Sequence, residues 1–119
     1  MTSLQEMHDQ ARRDSIPLMK DDGMEFLLAF IQQDLNIRDI LECGTAVGYS
    51  AIRMAQIRWD MTVDTIEIDP VMAETAAANI REHGLSDRVH VYCTDAAEFR
   101  TDRIYDLIFV DAAKSQYKR

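Results

Sequence analysis

Two glycines four positions apart, Gly44 and Gly48, stand between a short apolar run, Ile40-Leu41-Glu42-Cys43, and a stretch of helical character that begins near Ser50. Glycine at a strand-to-helix turn tolerates dihedral angles that a Cβ forbids, and it lets a ligand approach the backbone at a helix N-terminus. Nineteen positions beyond Gly48, Glu67 ends a second apolar run in Thr65-Ile66-Glu67-Ile68-Asp69-Pro70. A carboxylate at that end of the neighbouring strand can accept hydrogen bonds from both hydroxyls of a ribose bound over the loop. Each part alone has a plainer reading: tight packing for the glycines, a solvated strand end for Glu67. Together they point to a nucleoside. The loop departs from G-x-G-x-x-G, whose closely spaced glycines admit a pyrophosphate, so a dinucleotide is disfavoured.

A second constellation follows the last apolar run. In Asp106-Leu107-Ile108-Phe109-Val110-Asp111-Ala112-Ala113-Lys114 a carboxylate stands where the run ends and an amine three positions later. Ligands of open parallel sheets bind beyond the carboxyl ends of the strands, which puts Asp111 and Lys114 on the functional edge. An exposed strand-end Asp beside a solvated Lys is the plainer alternative.

The elements that must hold these residues alternate in period. Thr2 to Arg13 reads as a helix, interrupted at Ser15-Ile16-Pro17 because the residue before proline is pushed out of the α region. Asp21-Asp22 can cap a second helix to about Asp34, with Met24, Leu27, Leu28 and Ile31 at helical spacing and Phe26 and Phe30 widening the stripe. Strands are expected at Asp39 to Cys43, Thr62 to Ile68, Val89 to Cys93 and Tyr105 to Val110. Helices are expected from Ser50 to about Arg58 and, capped by Asp69 with Pro70 at its first position, to Glu82, where Gly84 can end it. A short helical turn is expected after Asp95. Such alternation argues for βαβ units and a parallel sheet covered on both faces. Residues 1–36 read as a helical segment packing on the domain, and 37–119 as the core.

Glu42-x-Gly44-x-x-x-Gly48 resembles motif I of class I S-adenosylmethionine-dependent methyltransferases, and Ile66-Glu67-Ile68-Asp69-Pro70 resembles the acidic motif that follows it. With the Asp-x-x-Lys-x-x-Tyr stretch from Asp111 to Tyr117, and with Ile16-Pro17-Leu18-Met19 and the helix near Gly23-Met24 upstream, the chain is similar to the metal-dependent catechol and caffeoyl-coenzyme A O-methyltransferases. The resemblance implies an α/β, Rossmann-like class I methyltransferase fold with strand order 3-2-1-4, cut off after about four parallel strands. It implies that Glu42 and the loop residues Gly44, Thr45, Ala46, Gly48, Tyr49 and Ser50 serve the amino acid end of S-adenosylmethionine, with Glu67 on the ribose and Ile68 beside it. Asp95 would accept from the adenine amino group while the Ala96 N–H donates to a ring nitrogen; a helix N-cap is an equal alternative for Asp95.

By the same resemblance Asp111 borders the cofactor and is one ligand of a Mg²⁺-like divalent ion, which suits a hard oxygen donor. The ion would lower the pKa of the acceptor hydroxyl, and Lys114, with its own pKa lowered, would take the proton. Many relatives carry a second acidic residue where this chain has Ala113, which weakens the metal pattern. The remaining ligands and much of the acceptor pocket are expected beyond Arg119. Within the family, Gly44 to Ala55 is most similar to bacterial enzymes that methylate 5-hydroxyuridine at the tRNA wobble position, and small phenols are the alternative acceptors. A NAD-dependent oxidoreductase and an inert binding or assembly fragment are the rivals from other classes.

Composition sets the outer limits. With 47% hydrophobic and 29% charged residues, 119 residues suffice for one small globular domain. The net charge of −8 argues against nonspecific binding to polyanions without excluding a specific RNA. No apolar run is long enough to span a bilayer and the N-terminus lacks a signal-peptide layout, so a cytoplasmic protein without membrane contact is expected. Cys43 and Cys93 have no metal-ligand spacing and read as buried free thiols. The apolar fourth strand, left as an edge, is expected to drive homo-oligomer formation.

Overall fold

The computed structural model describes residues 3–14 and 21–110. Helix α1 (Leu4–Arg13) starts on a capping box in which the Ser3 hydroxyl accepts from the Glu6 N–H while the Glu6 carboxylate accepts from the Ser3 N–H. Helix α2 (Asp21–Gln33) follows, with the two aspartates inside its first turn instead of ahead of it. Strand β1 (Asp39–Cys43), helix α3 (Tyr49–Ala55) and strand β2 (Thr62–Glu67) come next. Helix α4 (Pro70–Glu82) is capped by Asp69, whose carboxylate accepts from the N–H groups of Val71 and Met72. It ends at Gly84, whose φ of 71° lets the Gly84 and Leu85 N–H groups fold back onto the carbonyls of Arg81 and Ile80. Strands β3 (Val89–Cys93) and β4 (Leu107–Val110) complete the set.

The four strands form one parallel sheet in the order β3-β2-β1-β4, as expected from the βαβ pattern. Ile40 of β1, Val63 of β2, Val89 and Val91 of β3, and Leu107 and Phe109 of β4 share one face, and the core lies there. Met7 and Ala11 of α1, Ile31 of α2, Ala51, Ile52 and Met54 of α3, and Ile80 of α4 all pack against it.

Coverage of both faces, expected from the sequence, is not what the described residues show: α1 to α4 all stack on the same face. The opposite face carries Leu41, Cys43, Tyr92, Ile108 and Val110, with Ile108 61% and Val110 55% exposed. Two smaller expectations change with it. Phe26 and Phe30 face away from the core and are largely exposed, because the stripe through Met24 and Ile31 already fills the contact with the core. Cys93 is exposed and Cys43 half-buried, since β3 is an edge strand and Cys43 lies on the open face.

What does sit on the open face is a polar lid over the middle of β2. Asp64, 1% exposed, accepts from Arg103 Nη1 at 3.0 Å and from the Tyr105 hydroxyl at 2.7 Å, with His90 Nδ1 at 3.1 Å. This lid takes Tyr105 out of the strand expected there. Asp106 then turns its carboxylate onto the N–H groups of Asp39 and Arg38, which hold it below the usual carboxylate range. Burial and the bond to Asp64 push the Tyr105 phenol up to about 12.

A raised pKa means that the native state keeps the proton longer than the unfolded chain does. The Tyr105 contribution to stability is therefore fully present below the ordinary tyrosine pKa of about 10 and is lost as pH climbs through about 12. Denaturation midpoints measured across that window should fall more steeply for the parent than for Tyr105→Phe. Parallel curves would detach Tyr105 from the Asp64 cluster.

Candidate functional site

The site is built where β1 runs into α3. Gly44 and Gly48 have φ of 101° and 90°, values that penalise any Cβ, so both glycines are demanded by the turn itself. Gly48 also faces α4, where a Cβ would lie 3.4 Å from that of Ala76. Ala46 has a positive φ as well, 50°, a conformation costing an L-residue roughly 1–2 kcal/mol. Something must hold it there.

Glu67 does. Its Oε1 accepts the Ala46 N–H at 2.7 Å and its Oε2 the Asp69 N–H at 3.0 Å, with the side chain only 4% exposed. An ionised carboxylate has about four acceptor sites, so two remain for the hydroxyls of a ribose. The loop's other N–H groups are also committed: Gly44 and Thr45 donate to the Ile66 carbonyl, and Gly48 donates to that of Thr45. Four of the five N–H groups from 44 to 48 are thus used within the fold. A pyrophosphate cradle needs such groups aimed outward, so the geometry reinforces the case against a dinucleotide.

Glu42 sits below the loop with 0% exposure, accepting from the Ser50 hydroxyl on one oxygen and from Thr65 Oγ1 at 2.6 Å on the other. Tyr49 turns away from the loop: its hydroxyl accepts from Arg53 Nη1 and its ring meets His8 edge-on, leaving its backbone to line the turn. Ile68 is half-buried beside Glu67. Half-buried Asp95 accepts the Ala97 N–H at 2.9 Å through one carboxylate oxygen, and Glu98 N–H closes a turn, not a helix, onto the Asp95 carbonyl. Ala96, also half-buried, is the first residue inside that turn.

A family model described as O-methyltransferase matches residues 1–119, the whole chain. The chain belongs to the O-methyltransferase family. Among its curated relatives is the catechol O-methyltransferase of Niastella koreensis, 33% identical over 97 residues, covering 76% of this chain and 44% of that one. Among solved structures, a putative caffeoyl-CoA O-methyltransferase from Staphylococcus aureus superposes with a TM-score of 0.87 at 31% identity, covering 99% of this chain and 57% of its own. The O-methyltransferase from Bacillus cereus in complex with SAH does so with a TM-score of 0.77 at 30% identity, covering 92% and 53%. The chain spans about half the length of these relatives. The Rossmann-like class I methyltransferase fold inferred from the motifs is therefore correct.

Of the residues singled out in the sequence, Asp111, Ala113, Lys114 and Tyr117 lie outside the described residues, as does the upstream Ile16-Pro17-Leu18-Met19 segment. Among the described residues no group of three or more His, Cys, Asp or Glu side chains converges as a metal site. No described helix is long and apolar enough to cross a membrane. Sequence reasoning missed Thr65 altogether. Its signal was only positional, a hydroxyl two residues before the acidic Glu67 in a strand otherwise chosen for β-propensity.

Proposed function

We propose that this chain is the cofactor-binding part of an S-adenosylmethionine-dependent O-methyltransferase that transfers a methyl group to a hydroxyl acceptor. The observation that carries this reading is the loop itself. Four of its five N–H groups are satisfied within the fold, which suits a cofactor without a pyrophosphate, and it closes against a buried carboxylate with acceptor capacity left for a ribose. The SAH complex of the Bacillus cereus relative supports the same cofactor.

In this reading the backbone from Gly44 to Ser50 receives the amino acid end, Glu67 the ribose, and the Asp95-Ala96 turn the adenine. Asp111 offers an oxygen ligand to a divalent ion of the Mg²⁺ type, whose charge would lower the pKa of the acceptor hydroxyl. Lys114 takes the hydroxyl proton as the methyl group moves. The acceptor is 5-hydroxyuridine in tRNA on the motif resemblance. The name of the Niastella koreensis relative favours a catechol-type phenol instead. Such acceptors suit a cytoplasmic enzyme.

Calorimetry on the chain tests the cofactor assignment: SAH should bind with measurable heat and NAD should not. Binding of NAD without binding of SAH would replace the reading with the oxidoreductase. Radiolabelled methyl transfer to catechol or to an anticodon stem-loop bearing 5-hydroxyuridine, assayed on the full-length gene product, separates the two acceptors. Activity that survives a chelator would remove Asp111 as a metal ligand.

A further inference from the structure

We propose that Thr65 is a positioning residue for the cofactor loop, acting through Glu42 and Thr45; the inference rests on the cofactor reading above. Thr65 is fully buried on β2, in register with Glu42 of β1. A threonine hydroxyl has one proton. Thr65 gives it to Glu42 Oε1 at 2.6 Å, so the 2.6 Å contact between Thr65 Oγ1 and Thr45 Oγ1 is donated by Thr45. The Ser50 hydroxyl donates to the second oxygen of Glu42.

The result is one chain of side chains, Thr45 to Thr65 to Glu42 from Ser50, that starts in the loop, crosses under it through two strands and ends in the first turn of α3. Both ends of the loop are tied to a single carboxylate from below, while Glu67 holds its middle through Ala46. Thr45, Thr65 and Glu42 are all 0% exposed, so the relay shapes the loop from beneath it. Packing alone does not call for a hydroxyl here. Val63 and Val91 are close neighbours on the same face, and a valine has the shape of threonine.

That equivalence supplies the test, because Thr65→Val keeps the shape and loses the hydroxyl, whereas Thr65→Ser keeps the hydroxyl and loses a methyl group. Two readouts apply to the 119-residue chain: amide hydrogen exchange over residues 44–50 without ligand, and SAH affinity by calorimetry. In the valine variant, loop exchange should accelerate and affinity fall on the order of tenfold, the scale of one lost buried hydrogen bond. The serine variant should remain close to the parent in both.

If Thr65→Val does not fold, Thr45→Val, which removes only the terminal donor, carries the same expectation. Parent-like loop exchange in a folded valine variant, or a serine variant as impaired as the valine one, overturns the proposal. Failure of the parent chain to bind SAH would overturn the cofactor reading instead, with loop exchange still deciding whether the relay shapes the loop.

Discussion

Replacing Glu67 by alanine is expected to weaken SAH binding by at least about tenfold. Two hydrogen bonds from ribose hydroxyls to an ionised acceptor are worth roughly 1.5–3 kcal/mol each before partial solvent exposure is discounted, and tenfold corresponds to about 1.4 kcal/mol. The structure adds a second source of loss. The same carboxylate holds the Ala46 N–H at 2.7 Å, so the substitution also releases a loop residue from its left-handed conformation. Glu67→Gln separates the two, since an amide oxygen still accepts from Ala46 but a neutral group accepts more weakly from the ribose. Isothermal titration of both variants checks this. Affinity unchanged in a folded Glu67→Ala variant would take Glu67 out of the site.

The second large effect concerns assembly. Among the described residues, strand β4 pairs with β1 along one edge only, and no described strand pairs with its other edge. Beside that edge Ile108 and Val110 stand exposed on the face that no described helix covers. An apolar edge next to an apolar open face is a template for strand addition, so the chain by itself is expected to self-associate as concentration rises. Ile108→Lys should shift it toward monomer in light scattering. The substitution should cost little stability, because Ile108 is 61% exposed on the face opposite the helices. A well-behaved monomer of the parent chain at high concentration would show that this edge does not drive association.

Much of this protein was legible in its sequence because the relevant signals are local. The period switch from Ile40 to Ala55, Asp69-Pro70 at the start of α4 and Gly84 at its end each report the backbone of their own segment, and four such strands in alternation with helices leave few chain paths. Gly44, Gly48 and Glu67 were legible for the same reason: a positive φ and a strand-end carboxylate are properties of single positions.

What only the tertiary structure decided depends on which strands lie side by side and in what register. Glu42 reads as part of the cofactor motif, and only the β1–β2 register, which sets it against Thr65, reveals that it also holds the loop from beneath. Asp64 reads as a misplaced charge inside an apolar strand until Arg103 and Tyr105, about forty residues away, fold over it. The covered face follows from all four described helices taking the side of Ile40, Val63 and Val89, a side that crossover handedness sets for α3 and α4, the helices that connect parallel strands. Hydroxyl relays, buried ion clusters and open faces are relations between distant residues, and a linear pattern of residue types carries no record of the distances that create them.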